Sequence, residues 1–335
     1  MNSKLLFKAA IVALIFSACS SEEAANSANS QTRLSRDSRE SGLSVLQNTA
    51  LRNLEQRFTF NAGREVVSFS SESGVRIDID PASLTFNGNP ASGTLTLVYA
   101  ELFDYAHMIT SNKTTMGISE GQGSEGERRL EPLASGGEFY LNVINEKGES
   151  LDQKALFKLT VPTELTGKPD REMIAWAGEP TQTGDVVWNK DPERTGEEIA
   201  VPVDGENYVL DFSKLGWCNI DIYKAYTGPK TTISVVVPAA YNDSNAAVYL
   251  AVEGAQNTIA PLDTFDASSN AFGEHYGEVP VGLQGHLIFV SEDNGNWLYA
   301  IKSVTFTSNG TITFTSGDIA TATESSLIAS LNNLP

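Results

Sequence analysis

From about residue 58 onward, apolar and polar positions alternate with period two in short runs broken by Gly, Asn and Pro. In Val75-Arg76-Ile77-Asp78-Ile79-Asp80 the aliphatic residues point one way and the charged ones the other, and Pro81 ends the run. That is the pattern of a half-buried strand. Comparable runs start at Thr94, Glu138, Leu156, Thr232, Ala247, His286 and Leu298. Val304-Thr305-Phe306-Thr307 and Thr311-Ile312-Thr313-Phe314 flank Ser308-Asn309-Gly310, and Asn-Gly supplies the positive φ of a tight turn, so this pair predicts a hairpin. Only Asp318 to Leu334 reads as a helix, with Leu327, Ile328 and Leu331 on one side. Strands this short and this regularly punctuated predict an all-β chain built from sandwiches.

Length and texture divide the chain further. Residues 24 to 40 are small and polar, too poor in apolar side chains to offset the entropy of folding, so 19–57 is expected to be a disordered N-terminal tether. Within it, Leu43, Val45, Leu46, Leu51 and Leu54 recur at a spacing compatible with a short helix or a strap onto the body. The remainder exceeds one ordinary sandwich and predicts two β-sandwich modules, at 58–165 and 229–317. Between them 166–228, rich in Pro, Gly and charge and holding three of the four tryptophans, is expected to be a bridging β region; 318–335 is the short C-terminal helix.

The N-terminus changes the picture from a plain sandwich protein to an exported one. Lys4 and Lys8 precede an apolar run from Ala9 to Phe16 that is too short to span a bilayer, the layout of a signal peptide over 1–18. Phe16-Ser17-Ala18-Cys19 resembles a bacterial lipobox, with Phe16 where Leu is usual. The resemblance implies cleavage between Ala18 and Cys19 and lipid attachment at Cys19, so that the membrane is a partner through acyl chains and the protein is anchored without spanning. Ser20, Ser21, Glu22 and Glu23 look like the acidic export tag of Bacteroidota-type lipoproteins, which implies a place on the outer membrane facing the exterior; the alternative is a periplasm-facing anchor behind an ordinary acidic linker.

Charge sharpens this. Lys plus Arg number 23 against 42 Asp plus Glu, and loss of Lys4 and Lys8 with the signal takes the net charge from -19 to -21. Such a polyanion lacks the basic surface that displaces phosphate counterions, so no nucleic-acid partner is expected.

A second resemblance lies in the first module. The string GVRIDIDPASLTFNGNPASGTLTLVYAEL, then Met108-Ile109-Thr110, LEPLASGGEFYLNV and FKLTVP, resembles the β-sandwich shared by ankyrins, zona-occludens proteins and netrin receptors. Ile79-Asp80-Pro81-Ala82-Ser83-Leu84 stands where that family ends a strand, and Gly136-Gly137 where it places a turn. The resemblance covers about a third of the chain and implies an interaction module without chemistry. The second half, including Leu215 to Asp221, is similar to surface lipoproteins of the same bacterial group.

Candidate chemistry is sparse. With Cys19 lipidated, Cys218 is the one remaining thiol, which excludes an intramolecular disulfide; beside Trp217 it reads as a small buried hydrophobe. His107, His275 and His286 stand in separate segments and read as structural. Asp78 and Asp80 share a strand face and read as a solvated face near Arg76. Asp266–Asn270 and Glu292–Asn296 are oxygen-rich but lack calcium-loop spacing, and turn chemistry accounts for them. No hydrolase, zinc-protease or phosphate-loop motif occurs. No catalytic residue, metal or cofactor is therefore assigned. The remaining ligand candidates are aromatic: Trp176 and Trp217 sit in apolar strands, whereas Trp188 and Trp297 are flanked by polar residues and are the candidates for stacking on sugar rings. The chain thus reads as a non-catalytic, lipid-anchored envelope protein acting through contacts in adhesion or structure. The alternative is a glycan-binding surface lipoprotein beside an outer-membrane importer.

Overall fold

A computed structural model describes residues 41–334 apart from 121–127, 191–199, 225, 256 and 276. The signal peptide, Cys19 and the acidic tag Ser20 to Glu23 lie outside the described residues. Helix α1 (Gly42–Asn53) opens the described chain; Ser41 caps it by accepting from the Ser44 N–H, and Leu43, Gln47 and Ala50, spaced four and three apart, form its buried face. The helix expected near residue 43 is therefore present, and it is docked into the body; what was expected of 19–57 as one tether does not hold from Ser41 onward.

The first sandwich follows, in order β1 (Gln56–Asn61), β2 (Val67–Ser70), β3 (Arg76–Asp80), β4 (Thr85–Phe86), β5 (Asn89–Pro90), β6 (Thr94–Leu102), helix α2 (Tyr105–Ser111), β7 (Met116–Glu120), β8 (Arg128–Asn145), β9 (Lys154–Pro162), β10 (Ile174–Pro180), β11 (Val186–Lys190), β12 (Val203–Asp204), β13 (Asn207–Lys214) and β14 (Gly216–Tyr223). One sheet runs β1-β6-β8-β14-β10-β11-β7 and the facing one β12-β13-β9-β3-β2. Their inner faces bury Ile77, Ile79, Leu97, Phe139, Leu141, Leu159, Leu210 and Ile220 in one core. Segment 166–228, expected to bridge two modules, instead supplies β10, β11 and β14 to the first sheet and β12 and β13 to the second. Five of the twelve strands in these two sheets come from it.

Two features shape the first sheet. Gly136-Gly137, expected as a turn between strands, lies inside the continuous 18-residue β8, where the register against β14 slips between Asn219 and Asp221. Gly137 takes φ 127, and a Cβ there would lie 2.7 Å from the Phe103 ring, so the kink demands glycine. Beyond the kink β7 pairs with both β11 (Gly117 opposite Trp188) and β8 (Met116 opposite Pro132), so β8, β14, β10, β11 and β7 close into a ring.

The second sandwich comprises β15 (Lys230–Thr231), β16 (Ser234–Val236), β17 (Ala246–Val252), β18 (Ile259–Pro261), β19 (Thr264–Asp266), β20 (Ala271–Gly273), β21 (Val279–Pro280), β22 (Gln284–Asp293), β23 (Asn296–Thr305), β24 (Thr311–Thr313) and β25 (Ala320–Ala322), and α3 (Glu324–Asn332) ends the described chain. Sheet β18-β17-β22-β23-β25 packs on β19-β20-β16-β24 around Val235, Val248, Leu287, Phe289 and Phe314. The chain's long hairpin is β22–β23, turned by Asn294 (φ 50) and Gly295 (φ 80), which is the turn chemistry expected of Glu292–Asn296. The hairpin expected around Asn309-Gly310 does not form. Instead β23 ends on the β22 sheet, and Thr311–Thr313 crosses over to pair parallel with β16. The expected C-terminal helix is α3, capped by Thr323.

A third core joins the two sandwiches. Leu102, Leu133, Trp176, Val186, Trp188 and Trp217 from the outer side of the first sheet meet Leu43, Met108, Ile109, Leu327 and Leu331 of the helices and Tyr249, Ile288, Val290 and Trp297 of the second sandwich. The described residues form one compact unit. No helix among the described residues is long and apolar enough to cross a membrane.

Candidate functional site

Trp188 and Trp297, expected as exposed stacking platforms, are 0% and 1% exposed. The correction has a physical cause. Polar neighbours flank Trp188 in sequence, but its strand is part of the closed ring, and its indole N–H donates to the Thr114 carbonyl at 2.8 Å. Trp297 lies on β23 and is covered by the third core, which also holds Leu327 and Leu331 of α3. Trp176 and Trp217 are also buried, as expected.

The other sequence candidates fall apart spatially. Cys218 is buried in the first core, as expected. Asp78 binds Ser68 and Arg76; burial works against its charged form, but the Ser68 hydrogen bond and the Arg76 guanidinium together hold its pKa below the usual value. Asp80 caps the short turn at Pro81 by accepting from the Ala82 N–H. Asp266 accepts from Ser268 and Ser269, which holds its pKa at about 2. His275 pairs with Asp263 at 2.6 Å, and the His286 Nδ1 lies 3.1 Å from the Ser303 hydroxyl.

The structure brings together a different group, which sequence reasoning missed. Asn112-Lys113-Thr114-Thr115 follows α2 and carries only polar side chains, yet all four residues are buried. Each makes contacts to distant elements. The Thr114 N–H and hydroxyl donate to Asp185 at 2.8 and 2.6 Å, and the Val186 N–H also donates to Asp185 at 2.7 Å. Lys113 Nζ donates to the carbonyls of Ser111, Asn112 and Gly184 and lies 5.5 Å from the Trp217 ring centroid. Thr115 and Ile259 exchange hydrogen bonds, tying the segment to β18. On the other side, Gln47 of α1 donates to the Tyr249 hydroxyl, which donates to Asn112. Burial lowers the Lys113 pKa against the pull of Asp185 and Glu138, and burial raises that of Asp185 against its hydrogen-bond donors and Lys113.

Beside this segment, which staples the helices to both sandwiches, is a second polar group. Phe139 and Leu141 of β8 and Cys218 and Ile220 of β14 belong to the first core, so strand alternation turns Glu138 and Asn219 to the opposite face. One rung across the sheet reads Leu102, Glu138, Asn219, Trp176. Glu138, Asn219 and Asp221 are each 0% exposed. Asn219 donates to one Asp221 oxygen at 2.8 Å, and the Trp176 indole donates to the Asp221 carbonyl at 3.0 Å. Both Glu138 carboxyl oxygens, Asn219 Oδ1 and Asp221 Oδ1 have no hydrogen-bond partner. Burial pushes Glu138 well above the usual carboxylate range, reinforced by the charges of Asp221 and Asp185 and opposed by Lys113. Asp221 is pushed the same way by burial, against the Ser135 hydroxyl, the Gly136 N–H and the Asn219 amide. Among the described residues no three His, Cys, Asp or Glu side chains are grouped so as to hold a metal ion. This group has two carboxylates and an amide.

A titrating pair positions the staple. Asp104 caps α2, accepting from the His107 N–H at 2.9 Å and meeting His107 Nδ1 at 2.7 Å. That hydrogen bond raises the His107 pKa; Asp104 is lowered because the same bond and charge outweigh its burial. Stability from the raised histidine is complete below its unfolded pKa of about 6.5 and lost as pH rises through the folded value. Stability from the lowered aspartate is present above about 3.9 and lost as pH falls through its folded value. Urea unfolding at about pH 5.5 and about pH 8.5 should therefore show wild type gaining up to about 1 kcal/mol over His107→Gln at the lower pH, a small figure because both side chains are partly exposed. Equal pH dependence in the two proteins would refute this.

No protein-family model matches the chain, and comparison with curated proteins gives no match.

Proposed function

We propose that the chain is a lipid-anchored, non-catalytic interaction protein of a bacterial outer membrane, held by acylated Cys19 and facing the exterior. One observation supports this reading above the others: the four tryptophans, Cys218 and the carboxylates Glu138, Asp185 and Asp221 are enclosed in the body, while the first sheet keeps a free edge. Edge strand β1, paired among the described residues with β6 alone, carries exposed Arg57, Thr59 and Asn61 and offers backbone groups to an added strand. The glycan alternative loses Trp188 and Trp297, the residues on which it stood.

The test combines anchoring, exposure and binding. Wild type should enter the detergent phase and Cys19→Ala the aqueous phase, and protease applied to intact cells should digest the body. The anchored-exterior reading is overturned by wild type in the aqueous phase or by protection until lysis. Binding of the purified body to arrayed glycans would replace the protein-contact reading with the carbohydrate one.

A further inference from the structure

We propose that Glu138, Asn219 and Asp221 form an internal binding site for one divalent cation of the calcium type, built into the junction between the two sandwiches. Four oxygens carry the inference: Glu138 Oε1 and Oε2, Asn219 Oδ1 and Asp221 Oδ1 are buried, come from adjacent strands, and accept no hydrogen bond. Leaving such groups unsatisfied is costly, and buried polar atoms nearly always have a partner. A hydrogen-bond donor would satisfy one or two of them. A single cation between the two strands would give them a shared partner, and two carboxylates are the charge that a divalent ion neutralises.

The donor chemistry selects the ion. All four atoms are oxygens, one pair on a single carboxylate, which is the bidentate contact that calcium uses readily in its loose shells of six to eight ligands. Magnesium demands an octahedral shell and retains several waters, which suits this enclosed rung between Leu102 and Trp176 poorly. Thiolate- and imidazole-seeking metals find neither ligand in the group. Lys113 does not compete for the role, because its ammonium is committed to three backbone carbonyls.

The site also has a structural consequence. Asn219 holds Asp221 on the far side of the register slip at Gly136-Gly137, so an ion gripping both strands would pin the kink that closes the ring. This is independent of where the protein is anchored or what it contacts.

The experiment uses the full mature chain, refolded from denaturant with calcium or with chelator so that the enclosed site is loaded or emptied. Three results are expected of wild type. About one calcium per chain should survive gel filtration. Calcium at a hundredfold excess over Kd should raise Tm by roughly 5 °C over the chelated protein. Terbium substituted for calcium should luminesce when excited through tryptophan, since Trp176 and Trp217 stand beside Asn219. Glu138→Gln keeps the side-chain shape and should lose all three while remaining folded; if it aggregates, Asp221→Asn provides the same reading. A wild type whose Tm is indifferent to calcium and that gives no sensitised terbium signal would overturn the proposal, showing that the carboxyls hold a proton or water instead. Retention of the full calcium shift in the folded variant would overturn it equally.

Discussion

Replacing Asp185 with alanine is expected to lower the unfolding free energy by about 3–5 kcal/mol, because it strips the acceptor from several buried donors at once. Three donors lose their acceptor at once: the Thr114 N–H, the Thr114 hydroxyl and the Val186 N–H. Each buried orphan costs about 1–3 kcal/mol before relaxation. Lys113, 4% exposed, also loses a nearby countercharge, although its own hydrogen bonds run to carbonyls and survive. That asymmetry gives the test its internal control. Lys113→Met alone should be strongly destabilising, because it removes the cation beside buried Asp185 and leaves the Gly184 carbonyl without its 2.6 Å partner. The double variant should lose less than the sum of the two single losses, since no isolated charge remains. Urea midpoints followed by tryptophan emission and by near-UV circular dichroism measure all three proteins. A loss below about 1 kcal/mol for Asp185→Ala would show that the staple does not hold the sandwiches together.

Legibility in this chain tracks distance along it. The runs that became β3, β6, β9, β17 and β22 announced themselves because alternation is local, and each has one apolar face against a core. The sequence could not reveal what covers the other face. Glu138 alternates outward from the first core, which ordinarily means water; here the outward face is roofed by helices and the second sandwich. Asn112 to Thr115 looks like a loop because its partners, Asp185 and Ile259, are 71 and 144 residues away. Trp188 looked exposed because its neighbours are polar, and only the pairing of β11 with β7 encloses it. The missing hairpin at Asn309-Gly310 has the same origin: two adjacent strands normally pair, but the parallel partner of Thr311–Thr313 is β16, some eighty residues earlier. The spacing of Leu43 to Leu54 disclosed a helix, while its docking depends on Gln47 meeting Tyr249 across 202 residues.

Trp188→Ala is the second large loss, expected at about 3–5 kcal/mol, the usual range for deleting a buried large aromatic side chain. The indole meets Trp217 edge to face at 6.4 Å, so truncation opens a cavity against that ring. It also removes the donor to the Thr114 carbonyl. Trp188→Phe separates the two contributions: it retains most of the apolar volume, and its loss should be close to the about 1–3 kcal/mol of an orphaned buried acceptor. A stacking platform would behave differently, with ligand affinity lost and the urea midpoint unchanged, so stability measurements alone decide between a core and a surface role. Thr114 adds a further constraint, because its carbonyl is held by Trp188 while its N–H and hydroxyl are held by Asp185. Once Asp185 is gone the segment is already loosened, and the Phe substitution should then cost less than it does in wild type. Strict additivity of Asp185→Ala and Trp188→Phe would mean that the ring and the staple are independent, whereas sub-additivity of about 1 kcal/mol is expected for residues sharing a partner.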